Sequence, residues 1–328
     1  MTPDLLHPFL HLWGLPATAR VTLINVSENH TFRVQAPGRD LVLRLHRASH
    51  RSDAQIASEL AWLDALHDVK PLRCARPLRA ENGAALQHIM TPQGPRQLVA
   101  FEWIEGAEPS VGPGLRRWFP ELGALTARLH QHAHHWARPA DFTRDRWDIA
   151  AILGPEPAWG RWQDAPGLTR TGIDTLDALS AHLTERLTAY GTAPARFGLV
   201  HADLRLANLL TDARGLNVID FDDCGFSWWI YDFAAAVSFI EEDPALPDLA
   251  QAWVAGYRGI ADLPDADVAM LPDMVMLRRL LLTAWLGTRA DSDTAGQFGG
   301  SAYTEGTVRL ATRYLAQGAV GAWDRPWP

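Results

Sequence analysis

The stretch LVHADLRLANLL, Leu199 to Leu210, sets His201, Asp203, Arg205 and Asn208 inside an otherwise apolar run. It continues as LLTDARGLNVIDFDD, two apolar strands around a turn containing Gly215. In an antiparallel hairpin, residues placed symmetrically about the turn stand roughly 4.5–5.5 Å apart at Cα. Counting outward puts Leu209 opposite roughly Ile219, so Asn208 and Asp220 emerge side by side at the open end. An amide oxygen and a carboxylate meeting there are hard donors. Mg2+ takes few such protein ligands and fills its remaining positions with phosphate oxygens and water. Asp222 can point the same way in extended chain and is a further candidate ligand. Asp203, on the loop set back from the pair, is placed to accept a proton from an incoming hydroxyl. The catalytic candidates are therefore Asp203, Asn208 and Asp220, and the metal candidates Asn208, Asp220 and Asp222. A loop whose Asp and Asn make local turn hydrogen bonds would account for the residue types, but it does not require this convergence.

Two kinds of segment must position these groups. VTLINV, HTFRV, LVLRLHR, GAALQHIM and QLVAFEWI alternate as strands do, and turn residues such as APGRD and TPQGP separate several of them. The first hundred residues thus read as an antiparallel sheet. One helix interrupts it, SDAQIASELAWLDALHD, with Ser52 placed as its N-cap. Beyond the Gly/Pro-containing stretch from Ile104 to Gly114, helical patterns dominate, among them RWFPELGALTARLHQHAHHW and DMVMLRRLLLTAWLGTRA. The expected division is a smaller, sheet-bearing lobe over residues 1–104 and a larger, mainly helical lobe over 105–328.

Composition narrows the partners. The 328 residues are 47% hydrophobic and 21% charged, with a formal net charge of −8, which suits a globular protein of two lobes and disfavours a nucleic-acid backbone as partner. Cys74 and Cys224 are too few for a disulfide framework or a thiolate zinc site. The opening MTPDLLHPFLHLWGL lacks a basic region and carries Asp4, His7 and His11, so it is a poor export signal. Without a membrane-length apolar stretch, the expectation is a cytoplasmic protein that engages neither membrane nor nucleic acid. Nothing in the sequence sets an oligomeric state.

HADLRLAN resembles the H-x-D-x-x-x-x-N catalytic loop of kinases, and VIDFDDCG resembles the metal-binding segment of the aminoglycoside phosphotransferase and choline kinase group. The longer VIDFDDCGFSWWIYDFA is similar to the bacterial branch that includes stress response kinase A and type II homoserine kinase. SENHTFRV, LVLRLHR, SELAWLDAL, FEWIEG and LGALTARLHQHA follow in the family's order, so the resemblance covers most of Val21 to about Phe239. It implies an α+β, two-lobed protein-kinase-like fold with a small antiparallel-sheet N-lobe, a mainly helical C-lobe and ATP between them. The implied activity is transfer of the γ-phosphate of ATP, with Mg2+, to a small-molecule hydroxyl. A serine/threonine protein kinase of the stress response type is one alternative, and a non-catalytic nucleotide-binding regulator another. Against a eukaryotic-type protein kinase, Ala202 replaces the Arg that grips a phosphorylated activation loop and DFDD replaces DFG. Only eleven residues separate Asp220 from Asp232, which leaves no room for a long activation loop.

The chain has a single lysine, Lys70, followed by Pro71 in what reads as a loop. Arg44, on the face of LVLRLHR opposite Leu41, Leu43 and Leu45, occupies the position where the resemblance places the phosphate-holding lysine. Its fork binds phosphate bidentately, and the resemblance to a Lys–Glu pair makes Glu59 its partner. Ser27 and Asn29, in SENH, fall where the family's phosphate-covering loop lies, although no glycine is present there. Glu102 and Ile104 belong to the implied hinge and would meet adenine through main-chain atoms. Asp232 reads as an anchor for the catalytic loop, and the HQHAHHW run as a partly exposed helix with His130 inward. Five of the fourteen tryptophans, Trp147, Trp159, Trp162, Trp228 and Trp229, lie in segments where such folds bind the acceptor. Their faces, with the net acidity, could hold an amine-bearing acceptor, but core packing and loop anchoring are the commoner explanation.

Overall fold

Alternation in the first hundred residues builds a sheet, as the pattern requires. The computed structural model describes residues 3–26, 29–48, 50–289 and 293–328. Strands β1 (Arg20–Val26), β2 (His30–Ala36) and β3 (Arg39–Leu45) form an antiparallel meander. After α1 (Asp53–Leu66), strands β4 (Pro77–Leu78), β5 (Leu86–Thr91) and β6 (Gly94–Glu102) complete a six-stranded sheet, ordered β1-β2-β3-β6-β4 with β5 also on β6. Leu41, Leu43 and Leu45 face one core with Phe32, Val34 and Leu98. That core is closed by a 3-10 helix, Pro3–Trp13, whose Leu6, Leu10 and Trp13 are buried in it. The sequence pattern did not reveal this helix, because Pro8 lies inside it and a 3-10 turn does not follow the 3.6-residue period. Ser52 caps α1 as expected, in a reciprocal capping box with Gln55.

The chain forms two compact units. The first comprises Met1–Gly106, Ala137–Arg144 and Asn217–Asp222, and the second Ala107–Trp136, Asp145–Leu216 and Asp223–Pro328. Beyond the sheet the elements run α2 (Phe119–His135), α3 (Ile149–Leu153), α4 (Arg170–Tyr190), β7 (Phe197–Val200), β8 (Leu209–Asp212), β9 (Gly215–Val218) and β10 (Gly225–Trp228). Helices α5 (Tyr231–Ala236), α6 (Leu246–Arg258), α7 (Asp265–Val268), α8 (Leu271–Thr288), α9 (Asp293–Phe298) and α10 (Gly300–Trp323) follow. Gly215, expected in the turn, instead opens β9 with φ 117°. β10 pairs antiparallel with β7, Gly225 opposite Val200 and Trp228 opposite Phe197. Helix α8 is buried from Leu271 to Leu286, including Arg278 and Arg279. Among the described residues, no helix is long and apolar enough to cross a membrane.

Backbones touch where α2 crosses α6. A Cβ added to Gly123 would lie 2.0 Å from the Trp253 carbonyl oxygen, and one added to Gly256 would lie 1.9 Å from that of Pro120. This crossing sets the depth of α2 and with it the position of His130. Gly123→Ala forces the helices apart and should destabilise the protein by about 1–3 kcal/mol or more, read as a lowered urea midpoint; an unchanged midpoint would show that the crossing tolerates a methyl group.

Candidate active site

Strand β7 ends at Val200 and delivers His201 into the interior, and its partner β10 leads into α5, which brings Asp232 alongside. Asp232 is fully buried; its Oδ1 accepts the Ala202 N–H at 2.7 Å and its Oδ2 the His201 N–H at 3.1 Å. His130 from α2 lies 3.0 Å from Asp232 Oδ2 through Nε2 and 3.0 Å from the Tyr257 hydroxyl through Nδ1. Asp232 is thus an anchor, and His130 points inward. The loop needs the clamp, because Ala202 is held at φ 66°, a left-handed conformation that costs a residue with a Cβ about 1–2 kcal/mol.

Beyond that bend Asp203 is fixed on both oxygens. Oδ1 accepts from Arg278 Nη2 at 2.5 Å; Oδ2 accepts from Asn208 Nδ2 at 2.7 Å and Arg205 Nε at 3.3 Å. Burial pushes the Asp203 carboxyl up, but the Arg205 and Arg278 guanidiniums and His201 outweigh it and hold the group below the usual carboxylate range. Asn208 also donates to the Asp203 carbonyl at 2.8 Å, so its amide hydrogens are engaged and its oxygen is the group left to chemistry. Arg278 was not singled out in the sequence. The available signal was two adjacent arginines in a helix whose other faces are apolar, since an arginine there must have a buried partner.

The first unit carries a second polar cluster. Arg44 is buried on the sheet face opposite the leucine core, with Nη2 2.6 Å from Glu59 Oε2 on α1 and Nη1 3.2 Å from Asp220 Oδ1. Asp220 has φ 60°, and its carboxylate is 39% exposed. Asp222 is buried instead; its Oδ2 accepts from Asn29 Nδ2 at 3.0 Å, and its backbone carbonyl accepts from Arg144. Burial pushes the Asp222 carboxyl up, but Arg44, His46, Arg51 and Arg144 together hold it well below the usual range. Its Oδ1 is buried with no hydrogen-bond partner among the described residues, the nearest ring nitrogen being His46 Nδ1 at 3.8 Å. Within the first unit Asp220 and Asp222 offer only oxygen, which fits a hard divalent ion, and so does the Asn208 side-chain oxygen in the second unit. No group of three or more His, Cys, Asp or Glu among the described residues is arranged to hold a metal ion. A metal at these residues would therefore need most of its ligands from phosphate and water.

The other expected residues divide. Asn29 supports Asp222 and also accepts from the Arg47 N–H at 3.3 Å; Ser27 lies outside the described residues. The Glu102 N–H is committed to the Arg76 carbonyl at 2.9 Å, and its side chain lies 3.4 Å from the Arg76 guanidinium. A base there would have to meet other main-chain groups near the half-buried Ile104. Of the five tryptophans, Trp147, Trp162 and Trp228 are core residues. Trp229 packs on His130 with ring centroids 5.0 Å apart, and Trp159 faces the Arg278 guanidinium at 5.2 Å.

The profile of the phosphotransferase enzyme family matches residues 21–267. Among solved structures, a microcompartment-associated aminopropanol kinase is 42% identical with a TM-score of 0.88, covering 95% of this chain and 97% of its own. Amicoumacin kinase of Bacillus subtilis (strain 168) is 23% identical over 85% of this chain and 83% of its own. The solved amicoumacin kinase hAmiN, in complex with AMP-PNP, Ca2+ and Ami, is 22% identical with a TM-score of 0.76, covering 92% of each chain.

Because Glu59 is fully buried against Arg44, removing the arginine alone strands a carboxylate away from water. Arg44→Ala should lower stability by about 3–5 kcal/mol, and the Arg44→Met/Glu59→Leu pair by clearly less, as read by chemical denaturation. Equal losses would show that the two side chains are not energetically coupled.

Proposed function

The chain belongs to the phosphotransferase enzyme family, and on that premise we propose that it transfers the γ-phosphate of ATP to the hydroxyl of a small amino alcohol, with Mg2+ as its metal. The observation that carries phosphotransfer is Asp203, a buried carboxylate kept anionic and fixed through both oxygens on the loop after β7. The acceptor class is supported by 42% identity to an aminopropanol kinase over nearly the whole of both chains. The formal charge of −8 agrees with a cationic acceptor.

Phosphoryl transfer passes through a loose transition state in which the protein's work is positioning and charge stabilisation. Arg44, oriented by Glu59, presents its guanidinium to phosphate oxygens where this chain has no strand lysine. Asp220, Asp222 and Asn208 would hold Mg2+, which would supply neutralisation of charge on the phosphate oxygens. Asp203 accepts a hydrogen bond from the acceptor hydroxyl and aims its oxygen at phosphorus. With its basicity lowered by two guanidiniums, it takes the proton late, as the new oxygen–phosphorus bond makes the hydroxyl acidic. The bond from the γ-phosphorus to the ADP oxygen breaks as the new bond forms, leaving ADP and a phosphomonoester. Asn29 and the main chain near Ile104 complete the nucleotide contacts in this reading.

ATP consumption by the pure protein should be greatest with 1-amino-2-propanol or ethanolamine, compared with homoserine, aminoglycosides, sugars and casein. A clear preference for casein would replace the small-molecule reading with protein phosphorylation. Asp220→Ala should abolish Mg2+-dependent ATP binding in calorimetry while the circular dichroism spectrum stays native; unchanged affinity removes Asp220 from the ligand set. Asp203→Asn should keep ATP affinity within a few-fold and lower kcat by about 10²-fold or more. Near-normal turnover with the preferred acceptor would remove Asp203 from its role.

A further inference from the structure

Helix α8 carries two adjacent arginines in a buried stretch, and adjacent helical side chains diverge by about 100°. Arg279 turns toward the C-terminal helix, donating to Glu241 Oε2 at 2.8 Å, Glu242 Oε2 at 3.1 Å, the Tyr303 carbonyl at 3.1 Å and Thr307 Oγ1 at 2.8 Å. Its guanidinium lies 3.7 Å from the centre of the Tyr303 ring, and the Tyr303 hydroxyl donates to Glu241 Oε1 at 2.8 Å. Arg278 turns toward the catalytic loop. It donates to Asp203 Oδ1 at 2.5 Å, the Ala202 carbonyl at 3.3 Å, the Tyr231 hydroxyl at 3.2 Å and Ser238 Oγ at 3.2 Å.

We propose that Arg278 is the positioning residue of the transfer step: it fixes the Asp203 carboxylate and the bent Ala202 peptide, and the Arg279 ion pair with Glu241 sets the register from which it does so. The inference rests on the phosphotransfer reading above. Two features make the contact more than charge neutralisation. Arg205 and Asn208 hold Oδ2 only, so without Arg278 the carboxylate retains its anchors on one oxygen and can rotate about them. Arg278 also binds the carbonyl of the residue at φ 66°, so a single side chain fixes both the carboxylate and the backbone that aims it. The Arg279 cluster engages the guanidinium from Nε to Nη2, so α8 cannot slide by a residue without breaking a buried ion pair. The C-terminal helix α10, through Tyr303 and Thr307, is thereby mechanically tied to Asp203.

The test compares Arg278→Lys, Arg278→Met and Arg279→Lys in the full-length protein, reading transfer to the preferred amino alcohol and slow ATP hydrolysis to water. A misplacement of about 1 Å at a reacting group can cost roughly 10²-fold. Arg278→Met should therefore lower kcat for both reactions by roughly that factor with the KM for ATP within three-fold, and Arg278→Lys should recover part of the loss. Arg279→Lys, distant from the loop, should lower kcat several-fold with the same unchanged KM for ATP. Arg278→Met combined with Asp203→Asn should be no slower than Asp203→Asn alone, because one residue acts through the other. If Arg278→Met does not fold, Arg278→Lys decides: full kcat in that variant overturns the proposal. So does a multiplicative loss in the double variant, or a loss confined to the KM for ATP. Wild-type protein that transfers to no amino alcohol would overturn the acceptor class, while the hydrolysis readout still judges Arg278.

Discussion

A carboxylate taken out of water costs several kcal/mol unless a cation with good hydrogen-bond geometry faces it. The polar architecture of this protein follows from that constraint. Asp203, Asp222, Glu59 and Glu241 are all buried. Arginine answers each of them: Arg278 faces Asp203, Arg44 faces Glu59, Arg279 faces Glu241, and Arg44, Arg51 and Arg144 surround Asp222. With one lysine among thirty basic residues, the chain relies on the planar fork, which is more weakly hydrated than an ammonium and binds several acceptors at once. A buried lysine would supply three donors from one point and would lose its proton more readily.

The same constraint explains why the site is built on rigid elements. Arg278 sits mid-helix in α8, Glu59 on α1 and Arg44 within the sheet. Two of the loop residues they hold, Ala202 and Asp220, have unfavourable backbone at positive φ. Strain in the loop is thus held by charge pairs on regular structure. Asp232 does the same work with a carboxylate facing two backbone N–H groups, and His130 fixes that carboxylate in turn.

Arginine in place of lysine also changes what this strand position can do. Arg44 already binds Glu59 through Nη2 and Asp220 through Nη1. Under the proposed function, a phosphate at Arg44 would compete with Asp220 for the guanidinium. Lysine, a point charge, would be repositioned more freely.

Local pattern was enough to determine much of this protein. Period-two alternation marked the strands and their buried leucine face, Ser52 marked the start of α1, and the order of motifs carried the family and its α+β kinase-like fold. These properties depend on neighbours within a few residues or on spacing along the chain. Three things were decided only by tertiary structure. Pro3–Trp13 became a 3-10 helix because the sheet offered its residues a face to bury against. Trp147, Trp162 and Trp228 became core because their indoles found closed surroundings, which residue type alone does not dictate. Arg278 met Asp203 across seventy-five positions of sequence, and no local rule links an arginine in an apolar helix to the one carboxylate it will neutralise. Burial creates the need for a partner, and only the folded chain determines which partner is within reach.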